Sequence, residues 1–248
     1  ETEAPTLTNM PGDTTLTNDT GVCGAGLTWS DPTANDNCTV DTLFSDIDSG
    51  HIFPIGSTTV TYRAEDEAGN FVTDSFTVTV NDLEDPVLAG IPSDTTMSTD
   101  ANLCSALLTW AAPSSSDNCP GESLTSTHAS GFAFPVGTTA VTFESIDASG
   151  NAVTDSMIVT VNDGQAPAIA GMPADTTLTT DTDACTAVLN WTAPTSSDNC
   201  PGDTLAWTHG PGTAFSLGTT TVTYTATDAA GNVTAASFVV TVNDEQDP

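Results

Sequence analysis

Apolar and polar residues alternate with a period of two along most of this chain. In residues 219–227, Val222, Tyr224 and Ala226 fall on one face and threonines on the other. In residues 236–242, Phe238, Val240 and Val242 share a face. Such alternation predicts half-buried strands, because successive side chains of a strand point to opposite faces. The same reading predicts a Thr-rich strand over 174–180, a second over 187–191 and a weaker one over 204–209. Between them, residues 194–202 carry strong turn chemistry (Pro, Ser, Asp, Asn, Gly). Asp228-Ala229-Ala230-Gly231-Asn232 reads as a tight hairpin turn. No stretch has helical spacing. Short strands with frequent turns predict an all-β chain of antiparallel sandwiches.

The pattern recurs every 81 residues: Trp29, Trp110 and Trp191 keep that step, as do Gly69-Asn70, Gly150-Asn151 and Gly231-Asn232. A unit of this length is too long for a solenoid repeat and long enough to bury its own core. Three domains are therefore expected, over 1–85, 86–166 and 167–248. The three tryptophans are expected in the cores beside a disulfide. The linkers Leu83-Glu84-Asp85-Pro86 and Gly164-Gln165-Ala166-Pro167 are short and stiffened by proline, which predicts an extended string. Pro5 and Pro248 lie three periods apart, so the chain reads as an excerpt of a longer tandem array.

Charge narrows the function. There are 33 acidic residues against one basic residue, Arg63, for a net charge of −32. Nucleic acid is excluded as a natural partner, since phosphate is bound through Lys and Arg, and the same charge argues against docking on anionic membranes. No apolar run is long enough for direct membrane insertion. Self-repulsion of this size calls for screening by salt or by bound divalent cations.

The six cysteines fall two per repeat, each time as C-x14-C: Cys23 and Cys38, Cys104 and Cys119, Cys185 and Cys200. Zinc-type C-x2-C pairs are missing. The spacing predicts one disulfide inside each repeat, worth roughly 3 kcal/mol, and an oxidising, extracellular or cell-surface location. Buried thiols are the alternative.

The run from Phe215-Ser216-Leu217-Gly218 through Asp228-Ala229-Ala230-Gly231-Asn232, closed by Val242-Asn243-Asp244, resembles the hyalin repeat (HYR) domain. Phe53-Pro54-Ile55-Gly56 and Phe134-Pro135-Val136-Gly137 repeat the match, so the likeness covers essentially the whole chain. It implies tandem immunoglobulin-like sandwiches, an extracellular adhesive or structural role, and no catalysis. One departure stands out. The family's cysteine at the start of the last strand is replaced here by Ser75, Ser156 and Ser237.

In an immunoglobulin-like sandwich the hairpin before the last strand lies where the preceding linker arrives. That placement gathers Asp82, Glu84 and Asp85 with Asp147, Asn151 and the Ser115-Ser116-Asp117-Asn118 loop, an oxygen-rich set suited to Ca2+. The second junction offers Asp163, Asp198, Asp228 and Asn232, but Gly164, Gln165 and Ala166 replace the acidic linker, so a weaker site is expected. Asp36, Asp66 and Asn70 would face whatever precedes the first repeat. A plain hairpin turn, with Asp and Asn bonded to their own backbone, explains the Asp-x-x-Gly-Asn motif equally well.

His51, His128 and His209 recur once per repeat, which suits a role in the fold, and no nucleophile-and-base arrangement is present. Asn18, Asn37, Asn190 and Asn232 open N-x-T glycosylation triplets, a pattern that arises by chance in a Thr-rich chain. The expected function is an extracellular stalk or filament segment. Its partners would be neighbouring repeats of the same chain, further copies in a filament, or a surface protein or glycan. A glycan- or protein-binding adhesion module and a non-catalytic region of a secreted enzyme remain alternatives.

Overall fold

The longest alternating runs form the longest strands. A computed structural model describes residues 2–245; Glu1 and the closing linker position at 246–248 lie outside them. In the first repeat the strands are β1 (Thr6–Thr8), β2 (Thr14–Thr17), β3 (Gly24–Gly26), β4 (Thr33–Asn35), β5 (Val40–Ser45), β6 (Ile52–Pro54), β7 (Gly56–Asp66) and β8 (Phe71–Asn81). β7 and β8 make an antiparallel hairpin in which Val60 faces Phe76 and Gly56 faces Val80. β5 pairs with β7, and β2 lies parallel to β8, giving the order β2-β8-β7-β5. β3 pairs with β6, and β1 with β4. Val60 and Tyr62 from β7, Phe76, Val78 and Val80 from β8, and Ala25 and Phe53 from β3 and β6 close one buried core. Among the described residues there is no helix.

The chain folds as two compact units. The first holds Glu1–Pro92, Ala111–His128 and Thr142–Ser156; the second holds Ser93–Trp110, Ala129–Val141 and Met157–Pro248. The third repeat, within the second unit, copies the first. Thr176–Thr179, Val233–Asn243, Gly218–Thr227 and Thr204–Trp207 form its four-stranded sheet, and Ala187, Phe215, Val222, Tyr224, Phe238, Val240 and Val242 form its core. The middle repeat supplies equivalent pairs to each unit. Ser123–Ser126 pairs antiparallel with residues 143–146 in the first unit, and Thr95–Ser98 runs parallel to residues 159–162 in the second.

Two short strands escaped the alternation. Thr195–Ser197, inside the expected turn 194–202, pairs with Ala168–Ala170 just after the linker. Thr213–Ser216 pairs with Thr186–Leu189. Neither stretch is long enough to show a period.

Trp29 and Trp191 are half-buried and packed against the core rather than within it. The ring of Trp29 meets Phe76 edge-on at 5.4 Å, and that of Trp191 meets Phe238 at 5.3 Å. Trp191 Nε1 donates to the buried Tyr224 hydroxyl at 2.8 Å, as Trp29 does to Tyr62 at 2.6 Å. Tyr224→Phe is therefore expected to cost about 1 kcal/mol in a denaturant titration, the value of one hydrogen bond. A loss within error would show that water serves the indole equally well.

The cysteine pairing differs from the expected one. Cys23 bonds Cys119 and Cys104 bonds Cys200, each across 96 residues, while Cys38 and Cys185 are exposed thiols. The geometry of β8 explains why Cys23–Cys38, and by the same repeat Cys104–Cys119 and Cys185–Cys200, do not form. Thr17 of β2 is level with Asn81, so the turn carrying Cys23 sits at the trailing end of β8. Val40 is level with Asp66, so Cys38 sits at the hairpin end. Eleven strand residues separate the two ends, roughly 35 Å at the usual rise, and a disulfide tolerates a Cα separation of only ~7 Å. The bond instead links the trailing end of one repeat to the hairpin end of the next.

Candidate metal centre at the repeat junctions

Each junction is built by three short pieces of chain. After β8, Asp82 is buried and the linker runs through buried Pro86 into the strand Val87–Ala89. That strand pairs with Ser114–Ser116, setting Val87 opposite Ser116 and delivering Asp117, Asn118 and Cys119 beside Asp82. From the other side, Gly21 (φ 72°) turns the chain after β2 and presents Cys23. Asn102 (φ 60°) and Asp183 (φ 59°) take the same left-handed position one and two periods later, a conformation Gly, Asn and Asp tolerate best.

One ligand atom each from Asp82, Asp117 and Cys119 lies within 4.8 Å of the others, and Asp163, Asp198 and Cys200 repeat the group at the second junction. Both sulfurs are spent in disulfides, so the donors open to a hard cation are oxygens. Asp117 Oδ2 accepts from the Cys119 amide at 2.9 Å, and Asp198 Oδ2 from the Cys200 amide at 3.0 Å. The other oxygen of each carboxylate, Asp117 Oδ1 and Asp198 Oδ1, is buried without a hydrogen-bond partner. So are Asn118 Oδ1 and Asn199 Oδ1. The amide nitrogens of these asparagines face back across the junction: Asn118 donates to the Val22 carbonyl at 3.2 Å and Asn199 to the Leu103 carbonyl at 2.9 Å. A buried polar atom with no partner is costly, and here two such acceptors flank an acidic group at each junction. No side-chain cation balances them. Arg63, the chain's one basic residue, bonds Glu65 at 2.7 Å and lies over Phe71.

The other expected ligands divide. Asp147 is at the junction, but its Oδ1 accepts the amides of Ser149, Gly150 and Asn151, and its Oδ2 the Asn151 side chain. Asp66 and Asp228 accept the amide and side chain of Asn70 and Asn232 in the same way. For these three aspartates the hairpin-turn reading describes the geometry. Asn151 and Asn232 also donate to the carbonyls of Asp82 and Asp163, each at 3.2 Å, and so tie the hairpin to the arriving linker. Glu84 turns back to Asn18 and to the Gly21 amide, and Asp85 is exposed. Gln165 does the work of Glu84 at the second junction, bonding the Asn102 amide at 3.2 Å. The acidic linker therefore adds nothing to the first cluster that the second lacks. The sequence reading reaches Asn118 only as part of the 115–118 loop and misses Asn199; the signal for both is the Asp-Asn-Cys triplet recurring at 36, 117 and 198.

Burial pushes the Asp147 and Asp228 carboxyls up, but the side chains of Asn151 and Asn232 and the turn amides outweigh it and hold both below the ordinary value. At Asp66 the Asn70 side chain is the largest influence, in the same downward direction. A depressed folded pKa adds stability above the unfolded value, near pH 4, that is lost as pH falls through the folded one. Protonation also relieves repulsion across the chain, so the readout is a difference. The stability gap between the native chain and Asp228→Asn should be constant from about pH 7 to 5 and narrow below about pH 4. A gap that stays constant through the acid range would reject the assignment.

The candidate glycosylation sites also separate. Asn37 and Asn190 are exposed. Asn18 commits its amide to Glu84, and Asn232 commits its own within the junction. His51 and His209 pack on Phe53 and Phe215, a fold role.

The HYR domain matches residues 1–80, 81–161 and 162–242. Hyalin of Lytechinus variegatus is 33% identical over 247 residues, covering 96% of this chain and 46% of that protein. Hyalin of Strongylocentrotus purpuratus is 32% identical over 255 residues, covering 98% of this chain and 21% of its own length. The chain thus spans less than half of these relatives. Among solved structures, protocadherin gamma B2 extracellular cadherin domains 1–5 align over 98% of this chain and 60% of theirs, at 16% identity and a TM-score of 0.34. Mouse cadherin-23 EC22–24 aligns over 97% and 99%, at 11% identity and a TM-score of 0.35.

Proposed function

The chain belongs to the HYR domain family, an extracellular, adhesion-related repeat region of immunoglobulin-like all-β sandwiches, and on that premise we propose that it is a non-catalytic spacer whose repeats are locked end to end by Ca2+ and disulfides. We take each 81-residue repeat as one sandwich. The observation that supports this reading is the duplicate junction: Asp82, Asp117 and Asn118 at the first, Asp163, Asp198 and Asn199 at the second. A bound Ca2+ would supply positive charge to the carboxylates of Asp82 and Asp117 and to the orphaned oxygens of Asp117 and Asn118. Asp163, Asp198 and Asn199 would hold a second ion. The hairpin asparagines keep the linker carbonyl in place, and the disulfide keeps the two ends from separating.

Two equal sites are the consequence. Calorimetric titration of Ca2+ into the metal-free chain should give a stoichiometry near two, in the range of about 10⁻⁴ to 10⁻³ M typical of extracellular modules. Asp117→Ala should lower it to one, and Asp117→Ala with Asp198→Ala should abolish it. Binding that survives the double change, or none at millimolar Ca2+, would refute the junction assignment.

A further inference from the structure

Tyr62 and Tyr224 hold equivalent places two periods apart, yet different side chains stand beside them. In the third repeat Trp207 is level with Tyr224 across the Thr204–Trp207 and Gly218–Thr227 pair, and the two rings lie 6.1 Å apart. Gly210 makes room for that indole, because a Cβ there would come within 3.1 Å of Nε1. In the first repeat the place of Trp207 is taken by Ser45, level with Tyr62 across β5 and β7. Asp48 stands where the third repeat has Gly210, and Asp31 where it has Ala193. The exchange removes an indole and adds two carboxylates. It leaves a pocket of about 370 Å³ whose lining includes Asp31, Leu43, Ser45, Asp48, Ser49 and Tyr62, within the size range of small-ligand sites.

The hydroxyls of this lining have already given their protons away. Tyr62 donates to Asp31 Oδ1 at 2.7 Å while receiving Trp29 Nε1 at 2.6 Å. Ser45 donates to the Ile47 carbonyl at 2.8 Å. Ser49 donates to the Trp29 carbonyl and accepts the Trp29 amide, both at 2.8 Å, which fixes the loop that carries Asp48. What these side chains offer a ligand is therefore acceptors, two of them charged. An anion is repelled, and a sugar, whose hydroxyls accept as well as donate, finds no hydroxyl donor among them. A guanidinium suits the place: it is flat like the indole of the third repeat, carries donors only, forks onto carboxylates and stacks on aromatic rings.

We propose that this pocket of the first repeat binds an arginine side chain of a basic protein partner, with Asp31 and Asp48 accepting from its guanidinium beside Tyr62 and Leu43. The net charge of −32 draws such a partner in. A second copy of this sequence is a poor source, since it has no lysine and its one arginine, Arg63, is held by Glu65 over Phe71. The site lies within one repeat and does not rest on Ca2+ at the junctions.

The test is an NMR titration of the whole ¹⁵N-labelled chain with Nα-acetyl-arginine amide, in chelator and about 0.15 M salt, where charges more than ~8 Å apart are largely screened. The chain has four indoles, and only that of Trp29 bonds the Tyr62 hydroxyl. Its Nε1–H signal, assigned through Trp29→Phe, should shift saturably while those of Trp110, Trp191 and Trp207 stay in place. Ser45→Trp, which fills the pocket but keeps every charge, should abolish the saturable shifts of the backbone amides around Asp48. Asp48→Ala should weaken binding about fivefold, the upper range for an exposed ion pair, and Asp74→Ala, an exposed change outside the pocket, should not. Nα-acetyl-lysine amide should bind more weakly than the arginine probe. All four indoles moving together, undiminished binding by Ser45→Trp, or equal binding of the lysine probe would each overturn the assignment and leave only a general attraction of cations to an acidic chain.

Discussion

Replacing Cys104 and Cys200 together by serine should lower the unfolding midpoint by roughly 10–15 °C, while Cys185→Ser should leave it within a degree or two. The Cys104–Cys200 bond closes a loop across 96 residues. In the chain-entropy treatment a loop near 100 residues removes about 4.7 kcal/mol from the unfolded ensemble, more than the roughly 3 kcal/mol of a fifteen-residue loop. Spread over the two repeats it joins, each kilocalorie is worth roughly 2–4 °C. Cys185 is an exposed thiol and contributes no such constraint. The comparison is sharp because pairing within repeats would put Cys185 and Cys200 in one bond. Equal falls for Cys185→Ser and Cys200→Ser in a thermal melt would restore that pairing. A fall confined to Cys104 and Cys200 makes the junction, rather than the sandwich, the part that the disulfide holds.

The contrast also shows what the sequence could and could not disclose. The strands from Gly218 to Thr227 and from Val233 to Asn243 were legible because ten residues of alternation leave one reading. The repeat period carried the copy number and the recurrence of the turn. The cysteine pairing was not legible, because C-x14-C looks local until β8 is known to place its two members at opposite ends of a sandwich. Linker charge misled for a related reason. Glu84 is acidic but turns back to Gly21, and neutral Gln165 makes the same contact. The orphaned oxygens, on Asp117 and Asn118, follow a three-residue strand too short to have a period.

Calcium should raise the unfolding midpoint by roughly 5–10 °C over excess chelator, and the decisive variant is Asp117→Asn measured in both. At about 100 times its dissociation constant a ligand stabilises by about 2.7 kcal/mol per site, and the two junctions offer two sites. Without metal, Asp117 Oδ1 is a buried acceptor with no donor, beside buried Asp82. An amide at position 117 removes a charge from that pair and brings its own donors, so Asp117→Asn should be at least as stable as the native chain in chelator. In Ca2+ the same change loses a charged ligand, and about half of the calcium-induced rise should vanish. Opposite signs in the two conditions are what a metal ligand gives; a residue that only supports the Cys119 turn would lose stability equally in both. Magnesium is the control, since it holds its waters and demands a regular octahedron that this loose oxygen set does not prescribe. A rise of the same size in Mg2+, or identical melts in Ca2+ and chelator, would leave the junction to its disulfide and hydrogen bonds alone.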